Sequence, residues 1–426
     1  MDYTDRETLV DLRRTLHRVP EPAWCEFQTT ARVVEACEDI GVDELHVGPD
    51  VVDSDARMAV PDDETLAEWI ERAREAGVDE SLLEQMAGGH TGAVAVLERG
   101  EGPTVGLRVD IDALHITESD EADHHPAGEG FRSEHEGCMH ACGHDGHATI
   151  GVGVLAAVAD SDFQGTLKVV FQPAEERVGG GKAVAESGHL DDIDYLYAVH
   201  LGLDHPTGEV VAGVGGFLAV SHLLAEFEGA GAHAGAHPEQ GRNAVQAMAT
   251  AVQNLYAIPR HDDGATRVNA GRAGGGTATN IIPEDAFVEG EVRGETTELM
   301  EYMKEKADRV VRSAAEMHEC TVETHTEGEA PSAESDEALA AAFAAVADDH
   351  AGVDTVLDHD ALGGSEDATY LMQRVQNTGG LACYVCVGTD HPGGHHTPTF
   401  DVDEDSLDIG VDALTDAIRG VAADRP

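Results

Sequence analysis

Lysine is almost missing from this 426-residue chain: Lys168, Lys182, Lys304 and Lys306 are the only four. Large aromatics are sparse too, with two tryptophans and an aromatic share of 4%. Acids are abundant: 83 Asp and Glu against 26 Lys and Arg leave a formal net charge of −57. They are spread along the whole length rather than gathered in one tail. Such a surface excludes nucleic acid and anionic membranes as partners, because both carry the same sign. It also repels itself, and high ionic strength screens that repulsion. The composition therefore predicts a halophilic protein that loosens in low salt. Disorder, the other reading of acidic bias, is excluded by apolar periodicity that persists throughout.

No apolar run approaches the length of a membrane helix. The start, Met1-Asp2-Tyr3-Thr4-Asp5, is acidic and has none of the basic-then-apolar pattern of a targeting segment. Seven cysteines are an odd number for a disulfide framework and fit a reducing compartment, so the expected location is cytoplasmic. Cys383-Tyr384-Val385-Cys386 has redox-motif spacing, but it sits inside the apolar run Leu381–Val387 and reads as strand packing. No internal repeat is present.

What the chain does have is a stretch dense in soft metal ligands, Gly137-Cys138-Met139-His140-Ala141-Cys142-Gly143-His144-Asp145-Gly146-His147. Five of these eleven residues are Cys or His, the types that bind transition metals as thiolate and imidazole. The small, apolar run from Ala148 to Ala159 predicts a buried helix directly behind it. Upstream, Arg108-Val109-Asp110-Ile111-Asp112 ends a strand, and aspartates two apart share a face. There they can meet a metal or orient a metal-bound histidine. Downstream, the strand Thr166–Phe171 delivers Glu175 and Glu176, whose side chains diverge in an extended segment. One can bind metal while the other faces water, a division that metal-assisted hydrolysis needs. The strand Tyr195–His200 ends on a third candidate ligand, and His395-His396 lies far along the chain. Ligands of open α/β sheets bind at the carboxyl ends of strands, where Asp112, Glu175, Glu176 and His200 all fall.

Strands alternate with helices over the first half, predicting an α/β domain with a mixed sheet and helices on both faces. Helices are expected over Asp5–Leu16, Thr29–Ile40 and Asp63–Ala76. From about Leu218 the order becomes strand, helix, strand, strand, helix, strand, which predicts an inserted ferredoxin-like α+β lid domain. The Gly-rich Gly271–Gly276 reads as a turn within it. The expected division is a catalytic domain of residues 1–217 and 330–426 interrupted by a lid of residues 218–329. The segments 336–348 and 403–421 are expected as helices of the returning catalytic domain.

These motifs together resemble the co-catalytic dinuclear metallopeptidase and amidohydrolase family of aminoacylases, glutamate carboxypeptidases and hippurate or auxin-conjugate hydrolases. The matching pieces are residues 108–114, 139–147, 171–176, 198–201, 278–283, 364–367 and 396–404, which run in the family's order. Within it, the inserted stretch 56–89 and residues 137–147 and 364–369 look most like the p-aminobenzoyl-glutamate hydrolases. The resemblance implies Cys142, His144, Glu176, His200 and His396 as ligands of two divalent ions, zinc or manganese, with Cys142 between them. It implies Glu175 as general base and Asp112 as the carboxylate behind a liganding histidine. Cys138, His140 and His147 match without being ligands. His233 in Gly231-Ala232-His233-Ala234-Gly235 would stabilise the oxyanion, within its own chain or across a dimer, and Asn280, Arg293 and Arg242 would hold substrate. The implied partners are a small N-acyl or N-aroyl amino acid and a second copy of the chain through the lid, or else a related subunit. p-Aminobenzoyl-glutamate leads as substrate; hippurate, N-acetyl amino acids and auxin conjugates are alternatives, as is an inactive metal-binding partner chain. Zinc nucleobase deaminase chemistry is excluded by the lack of the Pro-Cys-x-x-Cys that its His-x-Glu would have to accompany.

Overall fold

A computed structural model describes residues Met1–Arg425. The larger unit is packed around the helix His144–Ala159, in which every residue but Ala157 and Ala159 is buried. Its glycines allow the close approach: a Cβ on Gly151 would stand 2.9 Å from Val109 Cγ2, and one on Gly153 2.6 Å from Val411 Cγ2. The helix begins four residues before the expected Ala148, because Gly143 adopts φ +85° as its N-cap. The end of the ligand-rich stretch, His144–His147, therefore forms the first helical turn, while Cys138, His140 and Cys142 stay in the loop before it.

Strands in chain order are β1 (Glu44–Val47), β2 (Ala93–Glu98), β3 (Thr104–Asp110), β4 (Thr166–Gln172), β5 (Tyr195–Leu201), β6 (Glu209–Gly215), β7 (Ala219–Glu228), β8 (Ala232–His233), β9 (Thr266–Gly275), β10 (Ile281–Ile282), β11 (Asp285–Gly294), β12 (Thr321–Ala330), β13 (Thr355–Leu357), β14 (Asp360–Ala361) and β15 (Leu381–Val387). The main sheet runs β1-β2-β4-β3-β5-β15-β6-β13, with β14 also on β6. Strands β4, β3, β5 and β15 are mutually parallel; β2 and β6 are antiparallel to their inner neighbours. Val105, Leu107, Val109, Tyr197, Val199 and Leu201 face the core that contains the helix His144–Ala159. Helix Ala368–Thr378 contacts β15 and β5 and helix Gly181–Glu186. The sheet is thus a mixed one, clothed by helices on both faces. Strand β6, Glu-Val-Val-Ala-Gly-Val-Gly, has no expected counterpart: it is too apolar to alternate and too glycine-rich to announce itself.

By internal contacts the chain forms two compact units, Met1–Gly216 with Ala333–Leu362 and Asp367 onward, and Phe217–Ser332 with Gly363–Glu366. The second unit carries an antiparallel sheet, β12-β7-β11-β9, with helices Ala244–Leu255 and Thr297–Met317 packed on it. Asn243 and Thr296 cap these helices, each side chain accepting a backbone N–H of the first turn. Leu299, Met300, Met303, Ala307, Val311 and Ala314 make the buried stripe of the longer helix. The expected turn at Gly271–Gly276 is corrected: β9 continues to Gly275. Ala270 pairs with Gly290 and Arg272 with Glu289, so Gly271 is the extra residue of a β-bulge. Glycine weakens an edge strand without ending it.

The stretch resembling an insertion has its own small core. Leu66, Trp69 and Ala73 of the helix Asp63–Glu75 pack with Leu83, Met86, Cys25 and Phe27. Cys383 and Cys386 are fully buried in β15, and all seven cysteines are unbridged. Burial pushes the Cys383 thiol up to about 12, which makes it inert rather than redox-active. No helix among the described residues is long and apolar enough to cross a membrane.

A buried charge network ties the first helix, Arg6–Arg18, to the ligand-bearing helix. Arg13 Nε stands 2.8 Å from Asp145 Oδ2, and its Nη2 donates to Asp401 Oδ1 at 2.5 Å. One turn on, His17 Nδ1 lies 2.9 Å from Asp145 and Nε2 2.9 Å from Glu118. Burial alone would lower the His17 pKa; the bonds to Asp145 and Glu118 outweigh it and hold it up at about 9. A folded pKa above the unfolded value of 6.5 means stabilisation complete below that pH and lost as pH rises through about 9. We expect up to about 3 kcal/mol of unfolding free energy to disappear across that window. Denaturant midpoints measured from pH 6 upward check this, with His17→Gln expected to flatten the profile.

Candidate metal centre

Parallel strands β3, β4 and β5 end side by side, and each hands over polar residues at the same edge. β3 ends on Asp110 and Asp112 follows it; past β4 come Glu175 and Glu176; at the end of β5 stands His200. The first turn of helix His144–Ala159 lies above them. His144 Nδ1 is 3.2 Å from Asp112 Oδ1, while its buried Nε2 has no hydrogen-bond partner and lies 3.7 Å from Glu176 Oε1. A carboxylate behind one ring nitrogen and an open second nitrogen is the arrangement of a metal-binding histidine. His200 is set the same way: Nδ1 donates to Leu201 O at 2.7 Å, leaving Nε2 3.5 Å from Cys142 Sγ. Burial and neighbouring histidines hold its pKa well below the ordinary value, so it is a neutral donor.

His147 is different. Its Nε2 accepts the Leu201 N–H at 2.8 Å, so its proton sits on Nδ1, which donates to Asp110 at 2.5 Å. Both nitrogens are spent and none remains for a metal. Asp110 is in turn 2.7 Å from Arg108 Nη1. His140 is buried beside His17 with ring centroids 6.4 Å apart, and burial lowers its pKa to about 3. Cys138 is buried as well, its carbonyl accepting from Ser133 Oγ at 2.8 Å.

The ligand atoms of Cys142, His144 and His200 lie within 4.8 Å of one another, as do those of Cys142, Glu176 and His396, and those of His144, Glu175 and Glu176. All five residues expected as ligands and the expected base are therefore brought together, with Cys142 common to two trios. His396 arrives on a loop in which it takes φ +59° and its N–H donates to Ala141 O at 2.8 Å. Thiolate, imidazole and carboxylate donors at this spacing fit zinc or manganese.

The turn that presents Glu175 and Glu176 is held from three sides. Ala174, at φ +58°, donates its N–H to Glu26 Oε1 at 2.8 Å. The Glu176 N–H donates to Asp112 Oδ2 at 3.0 Å. Gly180 and Gly181 donate to Asp367 Oδ2 at 3.1 and 2.7 Å, and Gln172 Nε2 donates to Asp367 Oδ1 at 2.6 Å. Glu26 is fully buried, and burial followed by the nearby Asp112 raises its pKa to about 8. Sequence reasoning missed Glu26, because an acid before an amphipathic helix looks like a cap. Asp367, in the matching piece 364–367, precedes the helix Ala368–Thr378, and its side chain makes no cap bond. Glu366 is buried and belongs to the second unit.

The residues expected from the second unit are placed as follows. His233 lies on β8, paired with β10, and is exposed. Its Nδ1 accepts the Gly235 and Ala236 N–H groups at 3.1 and 3.0 Å, so the proton is on the outward Nε2. The Asn280 carbonyl accepts the Ala234 N–H at 2.9 Å, which sets it next to the His233 hairpin. Arg242 is exposed, its backbone paired with Ala230. Arg293 is held by a fork of bonds to Glu291 at 2.9 and 3.0 Å.

A family description, peptidase family M20/M25/M40, matches residues 106–420. The chain is 44% identical over 407 residues to an indole-3-acetyl-aspartic acid hydrolase of Enterobacter agglomerans, covering 94% of this chain and 93% of that one. It is 40% identical over 406 residues to one of the subunits of p-aminobenzoyl-glutamate hydrolase from Escherichia coli K12, with the same coverage. Among solved structures it is similar to an aminobenzoyl-glutamate utilization protein from Klebsiella pneumoniae, at TM-score 0.85, 35% identity and coverage of 98% and 97%. With the family matched over most of its length and a buried cluster of metal-type ligands at the strand ends, the chain belongs to the M20/M25/M40 peptidase family and is one of its metallo-amidohydrolases.

Proposed function

We propose that the chain hydrolyses the amide bond of N-aroyl or N-acyl derivatives of acidic amino acids, with p-aminobenzoyl-glutamate as the leading substrate. The observation that carries this reading is the sharing of Cys142 between two ligand trios with Glu175 in a third. Cys142, His144, Glu176, His200 and His396 would hold two divalent ions, zinc or manganese. When bound, such ions polarise the amide carbonyl and acidify water. Glu175, 6% exposed, takes the proton of the attacking water on its carboxylate and returns it to the leaving amine. Asp112 keeps the His144 ring oriented through Nδ1. His233, with its proton on Nε2, is a ready donor to the oxyanion. Asn280, Arg242 and Arg293 complete substrate binding in this reading; for Arg293 that means exchanging Glu291 for a substrate carboxylate, since guanidinium binds either as a fork.

The E. coli relative's name supports p-aminobenzoyl-glutamate, and the Enterobacter relative's name favours indole-3-acetyl-aspartate as a second reading. Both pair an aromatic acyl group with an acidic amino acid. That the E. coli relative is named as one subunit of its enzyme supports a partner chain, either a second copy through the lid or a related protein. The proposed setting is a saline cytoplasm. There the net charge of −57 is screened, and the melting temperature should climb as KCl rises from about 0.1 M to above about 1 M, where the Debye length shrinks from ~10 to ~3 Å. A melting temperature that falls or stays flat over that range removes the halophilic assignment. The functional test is hydrolysis in concentrated KCl with manganese or zinc, comparing p-aminobenzoyl-glutamate, indole-3-acetyl-aspartate, hippurate and N-acetyl-glutamate. Hippurate turnover alone would discard the acidic amino acid, and turnover of none would discard the proposal for the chain on its own.

A further inference from the structure

The turn carrying the two site glutamates ends in a cation that nothing above uses. Arg177 follows Glu176 directly and is exposed, while Glu175 and Val178 on either side of that pair are buried. Its backbone is fixed. Ala174 and Val178 take φ +58° and +53°, Val178 N–H closes onto Glu175 O at 2.6 Å, and Gly179 and Gly180 both donate to Ala174 O. The closure is tight enough that a Cβ on Gly180 would stand 1.8 Å from Pro173 O. Arg177 is thus the apex of a rigid turn whose base is held by Glu26, Asp112 and Asp367.

In a molecule with 83 acids most arginines find a carboxylate, while in this unit Arg18 bonds Thr15 and Arg57 the Gly88 carbonyl instead. Arg6, Arg13, Arg14, Arg74 and Arg374 of the same unit are each paired with Asp or Glu. Among the described residues no carboxylate pairs with Arg177. Its neighbour is instead another base: His115, three residues beyond Asp112, has its pKa lowered by partial burial and then by the Arg177 charge. Two basic side chains thus stand together beside the candidate metal centre, where a strongly negative surface otherwise repels an anionic substrate.

We propose that Arg177 is the specificity residue for the acidic amino-acid half of the substrate, binding its side-chain carboxylate as a bidentate pair. The proposal rests on the hydrolytic reading above. The far carboxylate is the one selected, because the apex is exposed whereas Glu175, beside the scissile nitrogen, is buried. Guanidinium matches a carboxylate in two parallel hydrogen bonds, and losing a charged pair of this kind costs about ten- to a hundredfold in affinity.

The test compares p-aminobenzoyl-glutamate with p-aminobenzoyl-glutamine on the metal-loaded protein, for wild type, Arg177→Gln and Arg177→Lys. The expected result is a preference for the glutamate compound in wild type. Arg177→Gln should reduce the ratio of the two kcat/KM values about ten- to a hundredfold, mainly through KM, with Arg177→Lys between. An unchanged ratio overturns the assignment, and so does an equal loss on both compounds, which would mean that the residue only supports the turn. The same two compounds in equilibrium dialysis against Glu175→Gln and Glu175→Gln/Arg177→Gln read the preference without turnover. If wild type hydrolyses neither compound, the functional reading fails. The dialysis then decides Arg177 separately, with preference lost on removing the arginine supporting it and preference retained overturning it.

Discussion

Glu175→Gln should reduce hydrolysis at least about a thousandfold while the protein keeps both its fold and its metal. The size follows from the role: a positioned general base contributes on the order of 10²–10⁴ in rate, and here the same carboxylate both takes and returns the proton. Glutamine preserves shape but has no basic oxygen at pH 7. The turn should survive, because it is closed by backbone bonds, among them Val178 N–H to Glu175 O, and by carboxylates other than Glu175. Metal content by atomic emission and kcat on the best substrate are the two readings. A variant with full metal and activity within tenfold of wild type would remove Glu175 from the chemistry. A variant that loses metal would make it a ligand instead, a role that its place in the trio with His144 and Glu176 also permits.

Arg13→Met should be the most destabilising single change outside the site, at about 3–5 kcal/mol. Arg13 is fully buried and serves Asp145, Asp401 and, at 3.6 Å, Glu404. Methionine fills the volume but takes from Asp145 and Asp401 the largest of the charges that keep them ionised, leaving His17 as the main charge to oppose their burial. For both carboxylates burial alone would raise the pKa, and the Arg13 charge is the first influence opposing it. Exposed pairs such as Arg32–Glu35 should cost far less, because water already solvates both ends. Urea unfolding of the two variants, Arg13→Met and Arg32→Met, compares them; a difference under about 1 kcal/mol would show that the buried network is a solvation burden rather than a clamp.

The candidate site was legible because its chemistry is local. Cys142, His144 and the Glu175–Glu176 pair sit in short, distinctive stretches, and each stretch ends a strand or starts a helix that apolar patterning makes visible. The strand-helix order of the second unit could be read for the same reason. What escaped was non-local. Glu26 holds Ala174 across 148 residues, and Asp367 holds Gly181 across 186, separations at which no periodicity carries information. The resemblance already left His147 out of the ligand set, but its bonds to Asp110 and to the distant Leu201 N–H could not be read. Strand β6 was invisible because burial on both faces removes alternation. Gly271 was misread because a glycine inside a bulge and a glycine inside a turn are the same letter.

The order in which the trios are completed along the chain has a bearing on biosynthesis. Cys142, His144 and His200 are all present once β5 has been made, whereas the trio with Glu176 needs His396, almost two hundred residues later. A nascent chain can therefore assemble one cluster of donors while the helix His144–Ala159 still lacks its packing partner, the helix Asp405–Asp424. The second cluster must wait for the carboxyl-terminal segment to dock. In the proposed reading the donors become available in sequence, and products that end before His396 would lack one donor of the second trio.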